Sequence, residues 1–269
     1  MQPLAQLPRV AARRVKALFT DIDGTLTTAG KILPSTYSAL WRWKQRGGAL
    51  VLVTGRPAGW AEAFARSFPV DATLAENGGV TFVAGAGRRL ERRYSVPEAR
   101  LAGDRKRAFA AVSALARAVP GARLSMDSRY TEVDLAIDYN EGVHLGAKAA
   151  ARIEAFLQRR GFSAVRSSVH VNFWSGRFDK LTACRALAAS MGIGESAIVY
   201  CGDSVNDEPM FEAFALSVGV ANVREVLDRI AHPPQFVTRA REGRGFEELV
   251  RRLLKARGPV ARRSPTAVR

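Results

Sequence analysis

Two carboxylates, Asp21 and Asp23, follow directly on a short apolar run, and their spacing is the strongest chemical signal in this chain. The run predicts a buried strand, and Gly24 predicts a tight turn after it. Because side chains alternate along a strand, the two acids can share one side. Two neighbouring carboxylates are costly unless a cation or a shared proton accompanies them. The pair therefore predicts a site where one acid attacks an electrophile and the other transfers a proton, beside a divalent metal ion.

The pair has two other interpretations, a solvated turn and a calcium-binding loop. An EF-hand loop needs glycine at its sixth position and a bidentate glutamate at its twelfth. Counted from Asp21, glycine is fourth and Ile32 is twelfth, so the calcium loop is set aside. The choice between a solvated turn and an active site depends on whether other segments supply partners.

Strand and helix patterns alternate in two parts of the chain, which predicts a parallel sheet with helical crossovers. Open sheets of this kind bind ligands at the carboxyl ends of their strands, and polar residues follow several of these strands. The predicted buried strands, besides the one before Asp21, are 49–53, 71–75, 197–201 and 216–220, and the predicted helices are 34–46, 60–67, 181–191, 208–213, 222–230 and 245–256.

The polar residues at these strand ends suit a phosphate group and a hard metal ion. Thr54 offers a hydroxyl, and Gly55 lets the backbone approach phosphate oxygens. Lys180 provides a mobile cation that can pair with phosphate and with Asp21. The turn at 202–207 adds two carboxylates, and Mg²⁺ is typically held by a few carboxylates, waters and a substrate phosphate.

The middle of the chain has a different pattern. It predicts two helices, 97–119 and 145–160, together with strands at 134–139 and 164–174. We therefore expect an inserted α+β module at 85–175, and a parallel-sheet core formed by 16–84 and 176–256.

Composition limits the other possibilities. The chain has 269 residues, no apolar run of membrane-spanning length, and an N-terminal sequence unlike a secretory signal. Cys184 and Cys201 form no metal or disulfide pattern, so we expect reduced thiols in a cytoplasmic protein. The formal net charge is +16, and the basic stretches 1–15 and 257–269 are expected to be flexible ends. Such ends could bind polyanions without sequence preference, although nucleic acid is not expected as a functional partner.

The motif set resembles the haloacid dehalogenase superfamily of phosphatases. Asp21-Ile22-Asp23-Gly24-Thr25 matches its first motif, Thr54-Gly55-Arg56 its second, Lys180 its third, and Gly202-Asp203-Ser204-Val205-Asn206-Asp207 its fourth. The insert resembles the type-IIB cap of Cof-type, sucrose-phosphate and mannosyl-3-phosphoglycerate phosphatases, and Glu76-Asn77-Gly78 resembles a turn of that branch. The resemblance implies an α/β fold, with a Rossmann-like core and a smaller α+β cap.

The resemblance also implies a role for each motif residue. Asp21 would be the nucleophile that forms an aspartyl-phosphate, and Asp23 the general acid and base. Mg²⁺ would be held by Asp21, by the main chain of Asp23 and by Asp203, while Asp207 and Asn206 would support Lys180 or the metal. The expected site residues are Asp21, Asp23 and Lys180 for catalysis, Thr54, Gly55, Arg56, Asn77 and Asn206 for phosphate or substrate, and Asp21, Asp23, Asp203 and Asp207 for the metal.

The expected function is Mg²⁺-dependent hydrolysis of a small phosphorylated metabolite, with a sugar or polyol phosphate favoured. A phosphomutase on the same scaffold is an alternative, because it would use the same first motif. A nucleic-acid-binding protein with basic ends is a further alternative. Substrate choice is expected to come from the cap, and the candidate residues there are Arg129, Arg166, His170, Asn172 and Arg177.

Overall fold

The computed structural model describes residues 1–87, 89–167 and 169–258. The strands are β1 (Gln2–Pro3), β2 (Ala17–Thr20), β3 (Thr27–Thr28), β4 (Lys31–Ile32), β5 (Ala49–Val53), β6 (Ala72–Ala75), β7 (Val80–Ala84), β8 (Leu90–Tyr94), β9 (Arg123–Leu124), β10 (Leu135–Asp138), β11 (Ser163–Arg166), β12 (His170–Trp174), β13 (Ile198–Gly202), β14 (Ser217–Gly219) and β15 (Phe236–Val237). The α-helices are α1 (Arg9–Arg14), α2 (Pro34–Gln45), α3 (Ala58–Ser67), α4 (Glu98–Ala118), α5 (Gly146–Gln158), α6 (Lys180–Ser190), α7 (Glu208–Ala213) and α8 (Glu242–Arg257). Shorter 3-10 helices are Leu4–Gln6, Glu76–Gly78, Met126–Tyr130, Glu195–Ala197, Val205–Asp207 and Ala221–Arg229.

The largest sheet has nine strands in the order β1-β15-β14-β13-β2-β5-β6-β7-β8. Neighbours from β1 to β6 run parallel, whereas β7 and β8 are antiparallel additions at one edge. The strand β2 is central, with Phe19 in register with Val51 of β5 and Tyr200 of β13. The prediction of an α/β fold with a parallel-sheet core is confirmed.

Helices cover both faces of this sheet because its central strands are apolar on both sides. On one face, Leu18 and Leu50 pack with Trp43 of α2 and Phe246 of α8. On the other face, Phe19 and its neighbours pack with the apolar side chains of α6 and α7. The two layers fix the carboxyl ends of β2, β5, β6 and β13 along one edge, where the predicted site residues lie.

The expectation that residues 1–15 form a flexible end is wrong. Leu4 and Leu7 are 2% and 1% exposed, and β1 pairs with β15. The apolar residues of this segment dock on α8, while the basic residues of α1 face solvent. The segment is therefore amphipathic, and the prediction was wrong because it considered only the basic residues. At the other end, Arg257 donates hydrogen bonds to the carbonyls of Arg46 and Val15. Residues 259–269 of the second basic stretch lie outside the described residues.

The inserted module contains a separate antiparallel sheet in the order β11-β12-β10-β9. Leu135 and Ile137 of β10 pack with Val171 and Phe173 of β12 against α4 and α5, so the helices cover one face of the sheet. The start of this module was predicted too early, because β8 pairs with β7 in the large sheet. Of the helices that the structure describes, none combines the length and apolar character needed to cross a membrane.

Candidate active site

Asp21 lies at the carboxyl end of β2, and its backbone N–H donates to the carbonyl of Cys201 on the neighbouring strand. Its side chain is buried, and its Oδ1 lies 3.1 Å from the Nζ of Lys180. The same ammonium lies 3.7 Å from Oδ1 of Asp207. Burial alone would lower the pKa of Lys180, but the carboxylates of Asp21 and Asp207 raise it above its ordinary value. Lys180 is therefore a fixed cation beside a buried carboxylate.

Asp23 occupies a different environment, although it is only two residues away. Its side chain is 46% exposed, and the guanidinium of Arg56 donates two hydrogen bonds of 2.9 Å to its two oxygens. Arg56 also lies 5.3 Å from the ring centre of Trp60. The two acids of the first motif are thus differentiated, since one is buried beside a lysine and the other is solvent-accessible and held by an arginine.

Asp203 approaches the first motif from the end of β13. Its Oδ1 accepts a hydrogen bond of 2.8 Å from Thr25, and its Oδ2 one of 2.8 Å from Asn222. A Cβ at Gly24 would lie 2.5 Å from Oδ2 of Asp203, so the close approach requires glycine there. Burial, followed by the charge of Asp207, raises the pKa of Asp203 to about 7.

Asp207 holds the turn that presents Asp203. Its Oδ2 accepts from the backbone N–H groups of Asp203 and Ser204, and its Oδ1 accepts from the hydroxyl of Tyr200 at 2.6 Å. A carboxylate that accepts three hydrogen bonds and lies beside the Lys180 ammonium has little capacity left for a metal ion. Asn206 contacts this turn as well, since its Oδ1 accepts from the Ser204 hydroxyl.

The carboxylates at this edge fit a divalent cation. One oxygen each from Asp21, Asp203 and Asp207 lie within 4.8 Å of one another. Such a set of hard oxygen donors is what Mg²⁺ prefers. Burial also raises the pKa of Asp21, a cost that a bound cation would relieve. Because the oxygens of Asp207 are already engaged, Asp21 and Asp203 are the better ligands.

The predicted phosphate-binding turn after β5, residues 54–56, lies beside the turn after β6, residues 76–78. Thr54 is buried, and its hydroxyl accepts a hydrogen bond from the backbone N–H of Arg56. A Cβ at Gly55 would lie 3.2 Å from Oδ1 of Asn77. Glu76, Asn77 and Gly78 all have positive φ angles, so this turn is held in a conformation that few residues adopt.

A cavity of about 410 Å³ lies between this sheet edge and the open face of the smaller sheet. Of the predicted cap residues, Arg166, His170 and Asn172 line it, whereas Arg129 and Arg177 do not. Two of the three are engaged by acids, since Arg166 pairs with Glu154 at 2.7 Å and His170 lies 2.9 Å from Glu141. The expected core residues that line it are Asp21, Asp23, Thr54, Gly55, Arg56, Asn77, Asp203 and Asn206.

Comparison with known proteins identifies the family. The sequence profile of the haloacid dehalogenase-like hydrolases matches residues 18–94 and 147–243. The chain belongs to this family. Among curated relatives, it is similar to phosphoglycolate phosphatases from Methanosarcina acetivorans, with 30% identity over 238 residues, and Haloarcula marismortui, with 28% over 239. These alignments cover 88% and 87% of this chain, and 96% and 95% of the relatives.

Solved structures of low sequence identity share the fold. A protein from Thermoplasma acidophilum superposes with a TM-score of 0.70 at 17% identity, covering 89% of this chain and 98% of that one. The sucrose-phosphatase from Synechocystis, solved with sucrose and phosphate, has a TM-score of 0.66 at 16% identity, covering 90% and 98%. The predicted family and its α/β fold are confirmed.

Three residues in or beside this haloacid dehalogenase-like site were not among the expected site residues. Asn222 follows the predicted strand 216–220, so the strand-end signal could have found it. Glu76 is fully buried, and its carboxylate accepts from the backbone N–H groups of Ala58 and of residues 132–134. Asp134 lines the cavity, and it is the first residue of the predicted strand 134–139. Glu76 was noted in the sequence only as part of a turn, and no local signal marks Asp134. The contacts of both depend on distant segments, which are Ala58 and residues 132–134 for Glu76, and Asn77 and Asn172 for Asp134.

Proposed function

We propose that this protein is a Mg²⁺-dependent phosphatase that hydrolyses a small phosphorylated metabolite, with a sugar or polyol phosphate favoured. The observation that carries the proposal is the carboxylate of Asp21, which lies 3.1 Å from the ammonium of Lys180 and lines the cavity together with Thr54 and Gly55. This arrangement offers a nucleophile, a fixed cation and a phosphate-binding turn in one place.

The comparisons support phosphate ester chemistry in two ways. The curated relatives are named phosphoglycolate phosphatases, which act on a small phosphorylated acid. The structural neighbour from Synechocystis was solved with a disaccharide and phosphate. The cavity volume of about 410 Å³ is in the lower part of the range of small-molecule sites, so it suits a compact substrate.

In the first step, a carboxylate oxygen of Asp21 attacks phosphorus, and the bond from phosphorus to the substrate oxygen breaks. Asp23 gives a proton to the departing oxygen, which leaves as an alcohol. Lys180 and the Thr54–Gly55 turn offer positive charge and donors for the phosphoryl oxygens. The product of this step is an aspartyl-phosphate, the acyl phosphate of Asp21.

In the second step, Asp23 takes a proton from a water molecule, whose oxygen attacks phosphorus. The bond to Asp21 breaks, which restores its carboxylate and releases inorganic phosphate. The exposure of Asp23 suits this exchange of protons with solvent and substrate. Asp21 and Asp203 would hold Mg²⁺, which when bound would neutralise the carboxylates and the phosphoryl charge.

Phosphate release from a panel of phosphorylated metabolites tests the proposal. We expect turnover with Mg²⁺, and Asp21→Asn should remove it, because an amide is a poor nucleophile. Retention of more than a few per cent of activity by Asp21→Asn would argue against the covalent route. Mass analysis of the products separates a phosphatase from a phosphomutase, since only the former yields the free alcohol and inorganic phosphate.

The metal assignment has a readout that does not depend on turnover. Mg²⁺ should raise the unfolding temperature of the wild-type protein, and it should do so much less in Asp203→Asn, which removes a charged ligand. An equal stabilisation of both proteins would show that Asp203 does not hold the metal.

A further inference from the structure

We propose that Trp60 is a positioning residue of this site, whose indole ring keeps the guanidinium of Arg56 on the core side of the cavity, where the phosphate of a substrate would bind. The proposal rests on the phosphatase function proposed above, and it adds a residue that acts through Arg56 and not through the substrate. Three observations carry it, which are the contact between the two side chains, the anchoring of the helical turn that presents Trp60, and the acids that attract Arg56 toward the cap.

Arg56 contacts two groups in two different ways. Its Nε and Nη2 donate to the two oxygens of Asp23, at 2.9 Å each. Its guanidinium carbon lies over the ring of Trp60, 5.3 Å from the ring centre. Hydrogen bonds leave a guanidinium along its edge, whereas an aromatic ring attracts the cation through the ring face, so the two contacts do not compete. Asp23 and Trp60 therefore hold the guanidinium together.

The ring contact can persist when the hydrogen-bond partner changes. A cation–π contact requires mainly that the charge stays within about 6 Å of the ring centre, whereas a hydrogen bond requires a narrow angle. The guanidinium can therefore exchange Asp23 for a phosphate while it stays over the indole ring. The side chain of Arg56 is 35% exposed and lines the cavity, so an anion in the cavity can reach it.

The helical turn that presents Trp60 is anchored to the core on both sides of this residue. The backbone N–H of Ala58 donates to the carboxylate of Glu76 at 2.8 Å. The carbonyl of Ala61 accepts a hydrogen bond of 3.0 Å from the hydroxyl of Thr73 on β6. A tryptophan side chain has only two torsion angles, so on an anchored backbone it forms a stiff platform. The longer arginine side chain gains a defined position from this platform.

Two acids on the cap offer Arg56 another position. Asp127 and Glu141 line the cap side of the cavity. Their charges also act on Arg56, although its pKa is raised chiefly by the hydrogen bonds to Asp23. An ion pair with either cap acid would draw the guanidinium across the cavity. Trp60 opposes this movement because its ring lies on the core, beside the turn that carries Arg56.

A double-mutant cycle separates a positioning role from a structural one. Trp60→Leu keeps an apolar side chain but removes the aromatic face, so kcat/KM should fall by about threefold to tenfold. In the Arg56→Ala background, the same substitution should change kcat/KM by less than about twofold, because the group that Trp60 positions is absent. The substrate should be the most active non-aromatic member of the panel, so that no substrate ring can stack on the indole.

Two further variants identify the property of Trp60 that matters. Trp60→Tyr keeps an aromatic face, so its kcat/KM should stay within about twofold of wild type. Trp41→Leu is the matched control, because Trp41 is 45% exposed, against 44% for Trp60, and lies on α2 away from the cavity lining. This control should keep the wild-type kcat/KM, and thermal unfolding establishes that each variant is folded.

The outcomes separate the two proposals. The positioning role is overturned if Trp60→Leu keeps the wild-type kcat/KM, if its loss is as large in the Arg56→Ala background, or if Trp60→Tyr or Trp41→Leu is as impaired as Trp60→Leu. The phosphatase proposal fails instead if wild-type protein releases phosphate from no substrate of the panel. In that case the same cycle is measured on the dissociation constant of inorganic phosphate, by calorimetric titration with Mg²⁺ present, and the same ratios decide the role of Trp60.

Discussion

Arg56 donates two hydrogen bonds of 2.9 Å to the carboxylate of Asp23, and this fork engages both oxygens of the proposed acid and base. Because the guanidinium occupies both oxygens, Arg56 must turn away before Asp23 can contact a leaving group or a water molecule. A substrate phosphate is an anion to which the guanidinium can turn. The arrangement links substrate binding to the release of Asp23.

The first prediction concerns this link. Arg56→Ala should lower kcat/KM for an aryl phosphate by about tenfold to a hundredfold, because a charge-assisted pair is lost from both phosphate and Asp23. Arg66→Ala is the control, since Arg66 pairs with Glu62 on the exposed side of α3. Steady-state kinetics of the two variants check the prediction. Equal kcat/KM values for the two variants would show that Arg56 has no role in binding the substrate or in positioning Asp23.

The second prediction concerns Glu76. Glu76→Ala would leave four backbone N–H groups of the core and cap without their acceptor, so the free energy of unfolding should fall by about 3 kcal/mol or more. Urea denaturation measures the change. Glu62→Ala, on the surface of α3, should cost less than about 1 kcal/mol. A small effect of Glu76→Ala would show that the contact between the core and residues 132–134 of the cap does not depend on this carboxylate.

The third prediction is a pH dependence of stability. Burial, with the charge of Glu76, raises the pKa of Asp134 well above its ordinary value, so the folded protein keeps a proton that the unfolded chain releases near pH 4. Wild-type stability should therefore decline as the pH rises through the window between these two pKa values. Asp134→Asn lacks this titration, so its stability relative to wild type should be higher at pH 8 than at pH 4.

Asp138 should show the opposite sign in the same experiment. Burial would raise its pKa, but the amides of Glu141 and Gly142 lower it below the ordinary value. Its stabilisation is present above the unfolded pKa and is lost as the pH falls through the folded pKa. Asp138→Asn should thus be destabilising at pH 8 and less so at low pH. If the stabilities of the two variants relative to wild type changed with pH in the same direction, the opposite pKa shifts of Asp134 and Asp138 would be contradicted.

The fourth prediction concerns the N-terminal segment. Leu7 is 1% exposed against the core, so Leu7→Ala should cost about 2–5 kcal/mol of stability. Val10 lies on the outer side of α1 and is 65% exposed, so Val10→Ala should change stability by less than about 0.5 kcal/mol. Chemical denaturation of both variants distinguishes a docked segment from a loose basic arm.

Local sequence patterns were enough to predict the part of the site that depends on single strand ends. Asp21, Thr54 and Asp203 each follow an apolar run, and Lys180 opens a helix. Parallel strands bring their carboxyl ends to one edge whatever the details of packing, so these residues had to meet there. The family resemblance came from the same local motifs.

Other features of the site depend on contacts between distant segments, which determine the further groups at the site and the side chains that are already paired. Asp134 and Glu76 meet because the cap sheet closes over the core, and Arg166 turns out to be paired with Glu154. Likewise, β8 joins the large sheet although its sequence is polar. Such contacts join residues far apart in the chain, and their energies depend on burial and charge at the meeting point, so no local pattern of residues encodes them.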